Sequence, residues 1–125
     1  MATPENKVKQ WVDKLMKEWF PGAWRYCPPG GRFGKNGEPD RLYLWSGVFI
    51  AIETKVPGNP ATALQLKRLR DIAAAGGVAA VVSGKDLSKM MRIQDEVIRR
   101  VHLADEAREK AVCPPEADSG VPAQE

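Results

Sequence analysis

Cysteine and histidine are scarce in this chain, which has two cysteines, Cys27 and Cys113, and one histidine, His102, among 125 residues. The cysteines are far apart, form no Cys-x-x-Cys pair and have no histidine at metal-ligand spacing. That pattern excludes a zinc cluster and a dithiol redox pair, and it points to a reduced compartment. His102 is expected to be a surface residue on a helix. No apolar run approaches the roughly 20 residues that cross a bilayer. The first residues are polar and charged, unlike a signal sequence. The expectation is a soluble, cytoplasmic protein with no membrane partner and no internal repeat.

Two further absences narrow the chemistry. Residues 28 to 37 are rich in glycine and contain Arg32 and Lys35, which invites a phosphate-loop reading. That motif needs a glycine five positions before its Gly-Lys pair and a Ser or Thr after it. Here position 29 is Pro and position 36 is Asn, so nucleotide hydrolysis is set aside. Neither sign of charge dominates either, with 19 basic and 16 acidic residues giving a net charge of +3. Such a balance is compatible with nucleic acid without selecting it.

What the sequence does contain is a hairpin with acidic ends. Residues 41 to 45 (Arg-Leu-Tyr-Leu-Trp) and 48 to 52 (Val-Phe-Ile-Ala-Ile) are β-formers around Ser46-Gly47, a tight-turn dipeptide. With that turn, paired residues have numbers summing to 93, so Leu42 faces Ala51 and Asp40 faces Glu53. A three-residue loop would break this register. Side chains alternate across a strand, so Asp40, Leu42, Leu44, Phe49, Ala51, Glu53 and Lys55 share one face. Like charges directly opposed across two strands destabilise them by a few tenths to about 1 kcal/mol. A divalent cation removes that cost, and two carboxylates with open positions suit Mg²⁺ or Mn²⁺. The plainer alternative makes Asp40 a turn residue after Pro39, and Glu53 and Lys55 a solvated strand end.

The remaining elements follow from punctuation and period. Thr3-Pro4-Glu5 reads as cap, first helical residue and first-turn acid, opening a helix to about Trp19. Val8, Trp11, Val12, Leu15, Met16 and Trp19 form its buried stripe. Trp24 to Cys27 is a short strand. Asn59-Pro60 reads as the start of a second helix with Leu66, Leu69, Ile72 and Ala73 inward, ending near Gly76-Gly77. Val78 to Val82 is a buried strand. A third helix carries Leu87, Met90, Met91, Gln94, Val97, Ile98 and Val101 at helical spacing, its methionines expected in the core or a dimer contact. Residues 1 to 110 form one domain, and 111 to 125, nearly devoid of apolar side chains after Cys113, read as a disordered tail. The order is helix, three strands, helix, strand, helix, an α/β domain with a mixed sheet. Glu5 can complement the helix dipole, Gln65 can be a helix-surface residue, and Lys67, Arg68 and Arg70 can be ordinary solvation or a DNA footprint.

Taken together, Gly37-x-Pro39-Asp40, Ile52-Glu53-Thr54-Lys55, a Gly/Pro linker, Gln65 in a helix and Ala75-Gly76-Gly77-Val78 before a strand resemble the VRR-NUC branch of the PD-(D/E)XK nucleases. The resemblance covers roughly residues 4 to 83. One departure is Thr54, where the family usually has a hydrophobic residue whose main-chain carbonyl it uses. The resemblance implies a restriction-endonuclease-like core and a Mg²⁺- or Mn²⁺-dependent DNA endonuclease. In that reading Asp40, Glu53 and the Thr54 carbonyl hold the metal, Lys55 positions or activates water, and Gln65 orients Lys55 or the phosphate. Glu5 serves a second ion or acts through its water shell, and Arg32, Lys35, Lys67 and Arg68 contact DNA. Small stand-alone members resemble Holliday-junction resolvases, which suggests a homodimer on branched DNA. A non-catalytic DNA-binding module on the same fold and a helix-mediated interaction protein are the alternatives.

Overall fold

A computed structural model describes residues 3–29 and 37–111. The first helix, α1, spans Pro4–Trp19. Its Thr3 cap accepts a hydrogen bond from the Asn6 amide at 3.1 Å, and Pro4 occupies a first-turn position where no amide donor is needed. Three strands follow, β1 (Trp24–Tyr26), β2 (Arg41–Trp45) and β3 (Val48–Lys55). They lead to α2 (Ala63–Ala74), β4 (Val78–Ser83) and α3 (Leu87–Ala111). The strands form one sheet in the order β1-β2-β3-β4. The first two pairings are antiparallel and the last is parallel, with α2 as the crossover. The element order and the mixed sheet are those expected from the sequence.

The β2–β3 hairpin has the expected register, pairing Arg41 with Ile52, Leu42 with Ala51 and Trp45 with Val48. Ser46 and Gly47 both have positive φ, 50° and 82°, the primed turn whose twist matches paired strands. The ladder sorts side chains onto two faces. Tyr43, Ile50, Ile52 and Val82 face α1 and α3, where they meet Val12, Met16, Met90 and Val97 in the core. On the other face α2 packs on β3 and β4 and buries Leu69.

Several boundaries move, for local reasons. The strand β3 still ends at Lys55, where the sequence puts it, and β4 pairs with it in parallel as far as Lys55↔Ser83. The strand β1 ends at Tyr26, and Cys27 lies outside it. Asn59-Pro60 does not cap α2. Asn59 closes a turn instead, its amide donating to the Val56 carbonyl at 3.1 Å across Pro57 and a Gly58 at φ 87°. The cap is Thr62, in a reciprocal capping box with Gln65. Of the expected inward residues of α2 only Leu69 is fully buried, and Leu66 is exposed. In α3 the buried line is Met90, Ile93 and Val97, leaving Leu87, Met91 and Ile98 exposed. His102 is exposed on α3, as expected. Ala111 is still helical, and the rest of the expected tail lies outside the described residues.

Candidate active site

Asp40 stands just before β2, after a buried Pro39, and its carboxylate reaches across to β3. The Thr54 amide donates to Oδ1 at 3.1 Å and to Oδ2 at 3.3 Å, and the Thr54 hydroxyl donates to Oδ2 at 2.5 Å. Three donations from one residue fix the carboxylate against the strand. On the next residue back, Glu53 is 4% exposed, a carboxylate almost fully removed from water. Its Oε2 accepts from Gln65 Nε2 at 3.1 Å and lies 3.6 Å from Lys55 Nζ, an ion pair longer than a hydrogen bond. Its Oε1 is buried with no hydrogen-bond partner among the described residues. Lys55 also lines a cavity of about 500 Å³ with Asn59, Leu66, Val81 and Ser83.

Gln65 reaches Glu53 because both ends of its amide are used. Oε1 accepts from the Thr62 amide at 2.8 Å in the capping box, while Nε2 donates to the carboxylate. The helix cap therefore aims a donor into the site. Gln65 is thus beside Glu53, and the structure gives it no hydrogen bond to Lys55 among the described residues.

The electrostatics are those of crowded, poorly hydrated carboxylates. Burial pushes Glu53 up to about 7, and the neighbouring Asp40 charge pushes the same way, against the pull of Lys55. Burial also lifts Asp40 above its ordinary value, opposed by the Thr54 hydrogen bonds and by the charges of Lys9 and Arg41. Near neutral pH the pair therefore carries less than two full negative charges. A cation would change that, because an unsatisfied buried carboxylate oxygen beside a second carboxylate is a ready ligand position. The donors present fit a hard divalent ion.

Other sequence-predicted residues are elsewhere. Glu5 is exposed in the first turn of α1, and no three His, Cys, Asp or Glu side chains gather at a metal-sized point among the described residues. Lys67 is exposed and paired with Asp71 at 2.9 Å. Arg68 is half-buried, with a buried Nε that lacks a partner among the described residues. Arg32 and Lys35 lie outside the described residues.

Three participants were missed. The Thr54 hydroxyl has no distinctive sequence signal. Lys9, one turn beyond Glu5 on α1, puts a positive charge near Asp40. The third, Thr62, was legible, since Thr62-x-x-Gln65 is the capping-box pattern. Behind the site Asp13 of α1 accepts from Arg41 Nε at 2.9 Å and Tyr43 Oη at 2.8 Å, and pairs with Arg25 at 2.9 Å. This knot locks α1 to β1 and β2, and with burial as the larger cause it raises the Tyr43 phenol well above its ordinary value.

Comparison with known proteins agrees with the fold. No protein-family model matches the chain. It is 36% identical over 70 residues to a protein described as "Putative nuclease p44" from Acyrthosiphon pisum secondary endosymbiont phage 1, covering 55% of this chain and 71% of the phage protein. A solved structure described as "VRR_NUC domain" superposes with a TM-score of 0.56 at 21% identity, over 78% of this chain and 97% of that one. A second, described as "VRR_NUC domain protein", gives 0.54 at 24% identity over 74% and 89%.

Proposed function

Because the chain belongs to the VRR-NUC family of nucleases, we propose that it is a Mg²⁺- or Mn²⁺-dependent DNA endonuclease acting at the Asp40–Glu53–Lys55 cluster. The observation that carries the metal is the buried, unpartnered Glu53 Oε1 beside a pinned Asp40. In this reading Asp40, Glu53 and the Thr54 main-chain carbonyl hold the ion. A bound divalent ion supplies Lewis acidity toward the phosphate and lowers the pKa of its water. Lys55, held 3.6 Å from Glu53 and open to a cavity, positions the attacking water and steadies the charge that builds on the phosphate. Gln65 keeps Glu53 turned toward the ion. Glu5, apart from the carboxylate pair, is left a role through water. Arg32, Lys35, Lys67 and Arg68 are assigned to the DNA backbone, with Lys67 leaving its exposed pair with Asp71 to do so.

Branched DNA is the substrate suggested by analogy with resolvases. A homodimer cutting two strands would use the outer face of α3, where Leu87, Met91 and Ile98 are exposed. The deciding assay incubates purified protein with duplex, flap, single-stranded and four-way DNA in Mg²⁺, Mn²⁺ or EDTA. Cleavage is expected only with metal, and is expected to be lost in Lys55→Ala and Glu53→Ala. Full activity in either variant would overturn the assignment.

A further inference from the structure

Among the described residues, the sheet face that carries Glu53 and Lys55 is covered only in part. In chain pairing the rungs run outward from the site: Tyr26, Leu42 and Ala51, then Trp24, Leu44 and Phe49, with Glu53 two residues beyond Ala51 on β3 and Asp40 just before β2. Of these, Ala51 and Glu53 are buried beside α2, whereas Trp24 is 54% exposed, Tyr26 47%, Leu44 44% and Phe49 36%. The carboxylates therefore sit at the border between a covered half-face and a bare apolar one. Exposed apolar patches of this kind on a small protein mark a contact surface. Trp24 and Tyr26 stand nearly parallel, 18° apart with ring centroids separated by 6.1 Å.

We propose that this half-face is a stacking platform for unpaired bases, so that the site acts where single-stranded nucleotides adjoin the scissile phosphate. This rests on the nuclease reading and adds the form of the substrate. Three points select bases as the occupant. With strands about 4.8 Å apart and two residues advancing about 7 Å, Tyr26 lies on the order of 8 Å from Asp40 along the sheet. Whatever covers the rings is then next to the phosphate being cut. A second protein copy seated there would wall the carboxylates off from DNA. An intact duplex gains nothing from the surface, because its base faces are already stacked and its exterior is phosphate and groove edges. The five platform side chains, Trp24, Tyr26, Leu42, Leu44 and Phe49, carry no cation. Unpaired bases have free faces that suit aromatic rings irrespective of sequence.

The test measures binding in EDTA, without cleavage, by anisotropy of a labelled oligothymidine strand and of a hairpin duplex. Trp24→Ala/Tyr26→Ala is expected to weaken single-strand binding about tenfold or more, and to change duplex binding by less than about twofold. Trp24→Phe/Tyr26→Phe, which keeps both rings, is expected to stay near the parent. If the double alanine variant fails to fold, Trp24→Ala alone serves. Unchanged single-strand affinity, or equal loss on both DNAs, would overturn the platform. So would a parent dimer that becomes monomeric on ring removal, since a second copy would then own the face. Cleavage in Mn²⁺ is scored separately: an inert parent refutes the nuclease reading, while the binding comparison still decides the platform.

Discussion

Thr54 links the two carboxylates, since it follows Glu53 in sequence and supplies every hydrogen bond given to the Asp40 side chain among the described residues. Thr54→Val keeps the shape and the amide but loses the hydroxyl. Its Mn²⁺ affinity, measured by calorimetric titration, should fall about tenfold, as for other groups that orient metal ligands. The fold should lose about 1 kcal/mol, and Thr54→Ser should retain most of both. Equal affinity in Thr54→Val would mean that the amide alone orients Asp40. Glu53 makes a separate prediction about pH. Its carboxyl is raised from 4.5 to about 7 in the folded protein, chiefly by burial. The folded state thus binds more protons than the unfolded chain between those values, and its stability falls as pH rises through that window. The contribution is complete below about 4.5, gone above 7, and worth up to about 3 kcal/mol. Melting curves of metal-free protein should show this decline, and Glu53→Gln should flatten it. Metal takes the ionised form, so stabilisation by Mn²⁺ should grow over the same interval.

Among the elements, the hairpin was the most legible and the helix boundaries the least. Turn chemistry and strand period fix the β2–β3 register without help from the rest of the molecule, so the pairing from Arg41 with Ile52 to Trp45 with Val48 could be read from residues 41 to 52 alone. The parallel partner β4 could not, because it depends on a crossover. The start of α2 was misplaced because Asn59-Pro60 imitates a helix start, whereas the reciprocal Thr62–Gln65 box satisfies two helix donors at once. Of the apolar stripe of α3, Leu87, Met91 and Ile98 stay exposed because a helix of 25 residues on a four-stranded sheet buries only one narrow line. Gly37, by contrast, is a sequence signal with a structural reason. It has φ 83°, and a Cβ there would come 2.6 Å from Leu64 Cγ of α2. Gly37→Ala should therefore lower the melting temperature, with about 1–2 kcal/mol from backbone strain alone. It should also reduce cleavage by displacing Asp40. Adding Leu64→Ala should recover the side-chain part of the clash and leave the rest, since the Leu64 carbonyl oxygen also stands 3.1 Å from that Cβ. Full stability in the single variant would show that the segment before Asp40 can shift freely. For α2 itself, Thr62→Ala should cost about 1 kcal/mol and loosen Gln65, visible as a larger effect on turnover than on DNA affinity.

At the scale of the whole molecule, one sheet face is sealed by α1 and α3 and supplies the core, while the other tolerates buried charge and exposed rings. Such a division places stability and function in opposition around Asp40 and Glu53, and metal should reconcile them. At pH 8, above the Glu53 value of about 7, both carboxylates of the metal-free protein are largely ionised. Their repulsion across the strands costs a few tenths to about 1 kcal/mol. Asp40→Asn removes it but weakens the charge-assisted bonds from Thr54, which act in the opposite direction with similar size. The variant should therefore melt close to the parent in EDTA. With Mn²⁺ the two should separate. An ion that binds only the folded state stabilises by mass action, about 2.7 kcal/mol at a hundred times its dissociation constant. The parent should show that rise and the variant much less of it, since one of its two carboxylate ligands is gone. Four melting curves decide the matter, parent and Asp40→Asn each in EDTA and in millimolar Mn²⁺. If the metal raises both proteins equally, the ion binds elsewhere and Asp40 is a structural clasp for Thr54. If it raises neither, the buried oxygen of Glu53 has some partner other than a metal.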